Sequence, residues 1–270
     1  MRCHYMSDLH LEAQDFQHRL PGGDVLIIAG DLCHAMALDP ARTDPYSVKQ
    51  RERVLRLVDE ATRVFAHIIV VAGNHEHYGS VFEDTAALLR QHLPGVTILD
   101  DEHIEIGGVR FFGTTLWTDL AGRDAAAVER IRRGMGEYFF AKTRRAKNDG
   151  ETAPTKLLPA DTLAAHDRAV AKLRALAALP ERPTVVVSHH APSLQGLNPL
   201  HKGNGLDGAF ATDLDDVIAG MTNTLFWVHG HTHIRKKYRI ARTTILANCR
   251  GFEGKDLSAR SFRPDCYFEI

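Results

Sequence analysis

The chain has 270 residues, 44% hydrophobic and 25% charged, with a formal net charge of −1. That is an ordinary globular balance, and it gives no support to a protein that binds by coating a nucleic-acid backbone with positive charge, a local basic patch aside. No apolar run reaches 18 residues, Met1–His10 lacks the apolar centre of a secretory signal, and the 4 cysteines form no C-x-x-C pair, so neither a membrane span nor a leader, disulfide framework or zinc ribbon is expected, and the location expected is cytoplasmic.

Arg2–Ser7 reads as a short strand that runs into Asp8-Leu9-His10. Asp24–Ala29 and His67–Ala72 are apolar runs, rich in branched residues and closed by Gly30 and Gly73, as in strands buried on both faces. Between them Ser47–Phe65 predicts an amphipathic helix with Val54, Leu55, Val58, Ala61 and Phe65 on one stripe. Val81–Leu93 predicts a second helix, stopped by Pro94-Gly95. Val96–Leu99, His103–Ile106 and Val109–Gly113 are short strands in quick succession, and Gly107-Gly108 is a hairpin turn signal. They predict the start of a second, more antiparallel sheet. Residues 118–160 are the least regular stretch and include Asn148-Asp149-Gly150. Asp161–Leu179 predicts a helix with Asp161 as N-cap. Thr184–Ser188 and Thr224–Val228 predict strands, with a Gly-rich loop and a short helix over Thr212–Gly220 between them. Strands near Tyr238–Ile240 and Thr244–Ala247 follow, and Tyr267–Ile270 closes the chain. With no repeat or linker, residues 1–270 read as one domain.

Histidine is the unusual count: 16, against 33 Lys plus Arg. It is the commonest metal ligand and the usual acid–base group near neutral pH. The strands of buried type all stop at metal-capable residues: Asp8 and His10, Asp31, Asn74-His75-Glu76, His189-His190, and His231-Thr232-His233. Ligands bind beyond the carboxyl ends of strands in open α/β sheets, so these ends can meet at one crevice. In an extended segment residues i and i+2 point the same way, which makes Asp8 with His10, and His231 with His233, two-pronged grips. The glycines before Asp31, Asn74 and His231 permit tight turns and close backbone approach. Mixed imidazole, carboxylate and amide donors suit Mn, Fe, Zn, Co or Ni better than Ca or Mg. Asp31 is the natural bridge between two ions, because a carboxylate can be shared and an imidazole nitrogen cannot.

Taken in order, Asp8-Leu9-His10, Gly30-Asp31, Gly73-Asn74-His75-Glu76, His189 and Gly230-His231-Thr232-His233 resemble the calcineurin-like metallophosphoesterase superfamily, in the form of a small bacterial-type single-domain member. The resemblance implies a four-layer α-β-β-α sandwich with two central mixed sheets. It implies a first metal on Asp8, His10, Asp31 and His233, and a second on Asp31, Asn74, His189 and His231. It also implies that a hydroxide shared by the ions attacks phosphorus, with His75 beside the phosphate as hydrogen-bond donor or leaving-group acid. His189 is preferred to His190 because His189-His190-Ala191-Pro192 matches the family's H-H-P-P form. One position departs from the pattern. The second aspartate of G-D-x-x-D is His34 here, which either orients a ligand or touches the substrate. No arginine closely follows Asp31, which argues against the protein Ser/Thr phosphatases.

Glu76 reads as a backbone or histidine-orienting contact, Tyr78 as wall packing, and His190 and His229 as core neighbours of ligands. Arg250 is a candidate phosphate clamp after a late strand. Residues 130–147 hold seven Lys/Arg and form either a solvated loop or a cap that docks an anionic substrate. The expected function is hydrolysis of a small phosphorylated molecule or nucleotide, a diester by preference, since no second arginine clamp for a dianion is evident. The alternatives are a nuclease of the same superfamily, which the net charge of −1 opposes, and a scaffold without activity, which the filled ligand positions oppose.

Overall fold

The computed structural model describes residues 1–147, 150–179 and 181–270, so Asn148 and Asp149 of the expected turn lie outside the described residues. In chain order the strands are β1 (Arg2–Met6), β2 (Gly23–Ala29), β3 (Phe65–Val71), β4 (Thr97–Leu99), β5 (Glu102–Ile106), β6 (Val109–Thr114), β7 (Lys142–Ala146), β8 (Thr152–Lys156), β9 (Thr184–Ser188), β10 (Thr224–His229), β11 (Arg235–Ile240), β12 (Thr243–Asn248) and β13 (Tyr267–Glu269). The helices are α1 (Pro45–Val64), α2 (Thr85–His92), α3 (Ala125–Gly134), α4 (Glu137–Phe140), α5 (Pro159–Ala177), α6 (Asp207–Phe210) and α7 (Asp215–Gly220).

The strands form two large sheets, ordered β13-β1-β2-β3-β4 and β11-β12-β10-β9-β6-β5. Alternation along each strand explains the layering. On β2, Leu26 and Ile28 join a core with Val54, Leu57 and Val58 of α1 and Leu89 of α2. Val25 and Ile27 point the other way, into a core shared with Phe111, Val185, Val187 and Val228 of the second sheet. The far face of that sheet packs Phe112, Val186, Trp227 and Ile245 against Leu173 of α5 and Ile218 of α7. The result is the four-layer α-β-β-α sandwich with two mixed sheets.

The second sheet is less antiparallel than the strand spacing suggests. β4 pairs parallel with β3 and completes the first sheet instead of opening the second. Within the second sheet β6, β9, β10 and β12 are mutually parallel, and only the edge strands β5 and β11 are antiparallel. Gly107-Gly108 turns one hairpin; α5 and α7 supply the crossovers that parallel neighbours need.

Two helix starts also differ from expectation. α1 begins at Pro45 because Asp44 accepts the Ser47 amide at 2.9 Å. Asp161 is not the N-cap of α5. It stands three positions in and accepts the Leu158 backbone N–H at 2.7 Å, the reciprocal half of a capping box. The short helix expected over Thr212–Gly220 is confined to α7, and the one over Val81–Leu93 opens as a 3₁₀ turn before α2. Among its described residues the stretch 118–160 holds α3, α4 and the antiparallel hairpin β7–β8. Among the described residues no helix is long and apolar enough to cross a membrane.

Candidate metal centre

The loops after the parallel strands are tied to one another. Asp8 N–H donates to Gly30 O at 3.0 Å, His10 N–H to Asp31 O at 2.9 Å, and Gly230 N–H to His189 O at 2.9 Å. The His231 amide donates to both Asp8 carboxylate oxygens, at 2.9 and 3.1 Å. The grips are not extended segments. Asp8, His10, Asp31, His231 and His233 have φ of 55°, 49°, 54°, 65° and 48°, all left-handed. Such backbone costs about 1–3 kcal/mol per residue and gathers at functional sites. The paired side chains converge because the chain curls, not because a strand alternates.

Three groups of donor atoms result, each with ligand atoms within 4.8 Å of one another: two that share a carboxylate, Asp8, His10, Asp31 and His233, and Asp31, His189 and His231, and a third at the rim, His10, Glu12 and His75. Asp31 belongs to the first two. Its Oδ2 lies 3.8 Å from His10 Nε2 and its Oδ1 3.3 Å from His189 Nε2. Asn74 Oδ1 is 3.1 Å from His189 Nε2. His190 turns away, its Nδ1 on Thr115 O at 3.1 Å.

The outer hydrogen bonds fix which nitrogens are bare. His10 Nδ1 meets Glu12 at 2.8 Å, and His233 Nδ1 meets Asp256 at 2.6 Å. A carboxylate only accepts, so each Nδ1 carries the proton and each Nε2 presents a lone pair. Those two Nε2 atoms face each other at 3.1 Å. In the second group His189 Nδ1 donates to Ala29 O at 2.9 Å, which leaves its Nε2 bare toward Asn74 Oδ1 and toward His231 Nδ1 at 3.1 Å. The other His231 nitrogen, Nε2, is buried without a partner. Acceptors facing acceptors fit cations. The field favours positive charge there: burial opposes charge on these rings, yet Asp31 and Asp8 carry His189 up to about 9, and Asp256 and Asp8 carry His233 up to about 10, so that without a metal a proton takes the place of the cation on Nε2.

His75 lies at the rim. Its backbone N–H donates to Asp31 Oδ1 at 3.0 Å, its Nδ1 meets Glu12 at 2.8 Å, and its ring stacks on Tyr78 at 4.5 Å. Burial pulls it down, but Asp31 and Glu12 outweigh that and raise it to about 9. Glu76 makes a backbone contact on a large scale: its carboxylate accepts from the amides of Asp31, Leu32, Cys33 and Gly73 at 2.6–3.1 Å. It thereby clips the Asp31 loop to the Asn74 loop.

Two sequence-based expectations need correction. Arg250 is 2% exposed, and its guanidinium donates to Leu9 O, Asp15 O and Glu253. It secures the loop after β1 and does not face the metal groups. His34 is not among the described residues lining the cleft, though its ring lies 5.8 Å from that of His75. The His34 Nδ1 meets the Tyr46 hydroxyl at 2.9 Å. In the basic stretch, Arg132 and Arg133 pair with Glu129, Arg144 with Asp84, Arg145 with Asp161 and Lys147 with Glu151. None of those five is among the described residues lining the cleft.

That cleft, about 370 Å³, opens over the metal groups. Asn74, His75 and Tyr78 form one side, Phe210 and Phe252 the aromatic walls, and Lys202 lies on its lining. Phe252 stacks on His10 at 4.0 Å and Phe210 on His231 at 4.7 Å. The residues that sequence reasoning missed are the orienting acids. Glu12 stands two places after His10, a weak signal; Asp256 and Glu137, which is 3.4 Å from Asn74 Nδ2, carry none.

The calcineurin-like phosphoesterase profile matches residues 1–235. An uncharacterised protein of Acanthamoeba polyphaga mimivirus is 22% identical over 287 residues, spanning 98% of this chain and 95% of that one. Among solved structures, phosphopantetheinyl hydrolase from Mycobacterium tuberculosis superposes with a TM-score of 0.59 at 19% identity, over 95% of this chain and 93% of that one. A dimetal phosphatase from Danio rerio gives 0.49 at 11% identity, over 92% and 86%. With the profile spanning most of its length, and with the two-sheet sandwich and the acceptor cluster at the strand ends beneath it, the chain belongs to the calcineurin-like phosphoesterase family and is a metal-dependent phosphoesterase.

Proposed function

We propose that the chain hydrolyses a phosphate ester of a small molecule or nucleotide with two metal ions. The first is held by Asp8, His10, Asp31 and His233, and the second by Asp31, Asn74, His189 and His231. The observation that carries this reading is the facing of acceptors on both sides of Asp31: His10 Nε2 against His233 Nε2, and His189 Nε2 against Asn74 Oδ1, each at 3.1 Å. The mixed donor set favours Mn, Fe, Zn, Co or Ni. When bound, the ions lower the pKa of water toward neutrality and offset charge on the phosphoryl oxygens.

The chain's own residues have distinct tasks. Asp31 is the shared ligand and also anchors the backbone of His75. His75 lines the cleft and is the group to donate to, or protonate, the leaving oxygen. Phe210 and Phe252 shield the ligand imidazoles from water, which strengthens electrostatics inside. A cleft of about 370 Å³ suits a small ester better than a duplex. Residues 118–160 act as a cap that contributes Gly134, Met135 and Gly136 to the cleft, not its arginines. A diester is the preferred substrate, since no arginine pair faces the metal groups among the described residues. Free cysteines throughout suit a cytoplasmic enzyme.

Elemental analysis after growth with added metal is expected to give two ions per chain. Nitrophenyl diesters are expected to turn over faster than monoesters. Asp31→Asn is expected to lower turnover by roughly 10³-fold, the scale of losing one preorganised group at a reacting centre. One ion per chain, or turnover that survives Asp31→Asn with metal supplied, would overturn the reading.

A further inference from the structure

Glu12 belongs to none of the motifs, yet it touches two of their residues with one atom. Its Oε1 lies 2.8 Å from His10 Nδ1 and 2.8 Å from His75 Nδ1, and the side chain is 7% exposed. The His75 ring is fixed on its other edges: it stacks on Tyr78 at 4.5 Å and sits edge-on to His10 at 4.5 Å. His34, which replaces the second aspartate of the sequence pattern, brings no carboxylate and turns to Tyr46. Among the described residues, the acid on His75 Nδ1 therefore comes from the loop after β1.

We propose that Glu12 is the positioning residue of His75: it holds the Nδ1–H and so presents Nε2 to the cleft as the atom that exchanges a proton with the leaving group. The inference rests on the leaving-group role given to His75 above. An imidazole whose Nδ1–H is held by a carboxylate has one tautomer and one ring orientation when neutral. On departure, the ester oxygen takes the Nε2 proton of the imidazolium. The ring returns to the neutral form with its remaining proton on Nδ1, still on Glu12. Without Glu12 the ring is free to turn and to place its proton on either nitrogen.

Because the same oxygen also meets His10, the test must separate the two rings. Four variants serve: Glu12→Ala, Glu12→Gln, His75→Ala, and the double change of both residues to Ala. Each is assayed at saturating Mn²⁺ on bis(4-nitrophenyl) phosphate and on diphenyl phosphate, whose leaving group is poorer. Metal content is measured alongside.

Glu12→Ala is expected to lower kcat roughly 100-fold on the diphenyl ester and much less on the nitrophenyl ester, with KM and metal content kept. Glu12→Gln, whose amide oxygen still accepts from Nδ1, is expected to recover most of that loss and to show that the chain folds. In the His75→Ala background Glu12→Ala is expected to add less than about threefold, since the two act as one unit. In the metal-free chain, titrated until the ring is neutral, ¹⁵N imidazole spectra are expected to show the Nδ1–H tautomer for His75, and a mixture in Glu12→Ala.

Full additivity of the two Ala changes, or equal losses on both esters, would overturn the role of Glu12 and leave that of His75 standing. His75→Ala with no leaving-group dependence would overturn both.

Discussion

His10 Nε2 faces His233 Nε2 at 3.1 Å, and each ring donates its Nδ1–H outward, to Glu12 and to Asp256. Two lone pairs at that distance repel unless a cation stands between them. An ion that binds only the folded chain stabilises it by RT ln(1 + [L]/Kd), about 4 kcal/mol at a thousandfold excess over Kd. For a chain of this size chelation is therefore expected to lower Tm by about 10 °C, and added Mn²⁺ to restore it. Scanning calorimetry at fixed protein concentration measures this. A Tm indifferent to chelator would mean that protons hold these nitrogens apart.

Asp256 acts on the metal through His233. Its Oδ2 lies 2.6 Å from His233 Nδ1 and also accepts the Phe252 amide at 2.8 Å. Asp256→Asn keeps the shape and removes the charge that makes the imidazole a stronger ligand. Loss of such an outer hydrogen-bonding acid typically costs 10–100-fold in metal affinity. Competitive titration of Zn²⁺ against a chelating dye is expected to give a Kd weaker by about 10-fold, with the circular dichroism spectrum kept. Unchanged affinity would reduce Asp256 to a loop tie for Phe252.

Glu76 is a stability residue. Four buried amides, those of Asp31, Leu32, Cys33 and Gly73, donate to its carboxylate. A buried N–H left without an acceptor costs about 1–3 kcal/mol, less where water enters. Glu76→Ala is expected to destabilise the metal-free chain by roughly 3–5 kcal/mol, at the extreme of single substitutions. Urea unfolding reads it as a lower midpoint at constant m. A loss under about 1 kcal/mol would show that solvent replaces the carboxylate with ease.

Much of this architecture can be read from residue order. Val25 and Ile27 alternate with Leu26 and Ile28, all apolar, so β2 had to be covered on both faces. Asp8, His10, Asp31, Asn74, His189, His231 and His233 stand just past such runs, where few residue types serve metal chemistry, and the structure gathers them. The sheet order is another matter. β6 looks like half of a hairpin, and its parallel pairing with β9 depends on the path of α5. The left-handed turns at Asp8 and His10 leave no trace in residue type, so the grips read as extended. Glu12, Asp256 and Glu137 are single acids in loops or at a short helix, indistinguishable in sequence from solvated ones. The hairpin β7–β8 is mostly exposed and polar, with no period to read.

Gly73 shows how little room the centre leaves. A Cβ built there would overlap Asp31 Oδ1 and lie 2.6 Å from the Asp31 backbone nitrogen and 2.8 Å from His189 Cε1. Its φ is not left-handed, so crowding is the whole penalty, and the nearest obstacle includes backbone. Gly108, in the β5–β6 turn, is the converse: φ is +81° and a Cβ would meet nothing within 4 Å. Gly108→Ala is expected to cost about 1 kcal/mol from backbone strain alone and to leave metal content and turnover unchanged. Gly73→Ala is expected to cost roughly 3 kcal/mol, the upper part of the range for overpacking, and to push the Asp31 carboxylate from between the two groups. Bound metal per chain should then fall below two even where the chain remains folded. Paired urea melts and elemental analysis of the two variants measure both effects. If Gly73→Ala lost only stability and kept its metal, the loops after β2 and β3 would have to yield independently, and the clip that Glu76 makes between them would not be rigid.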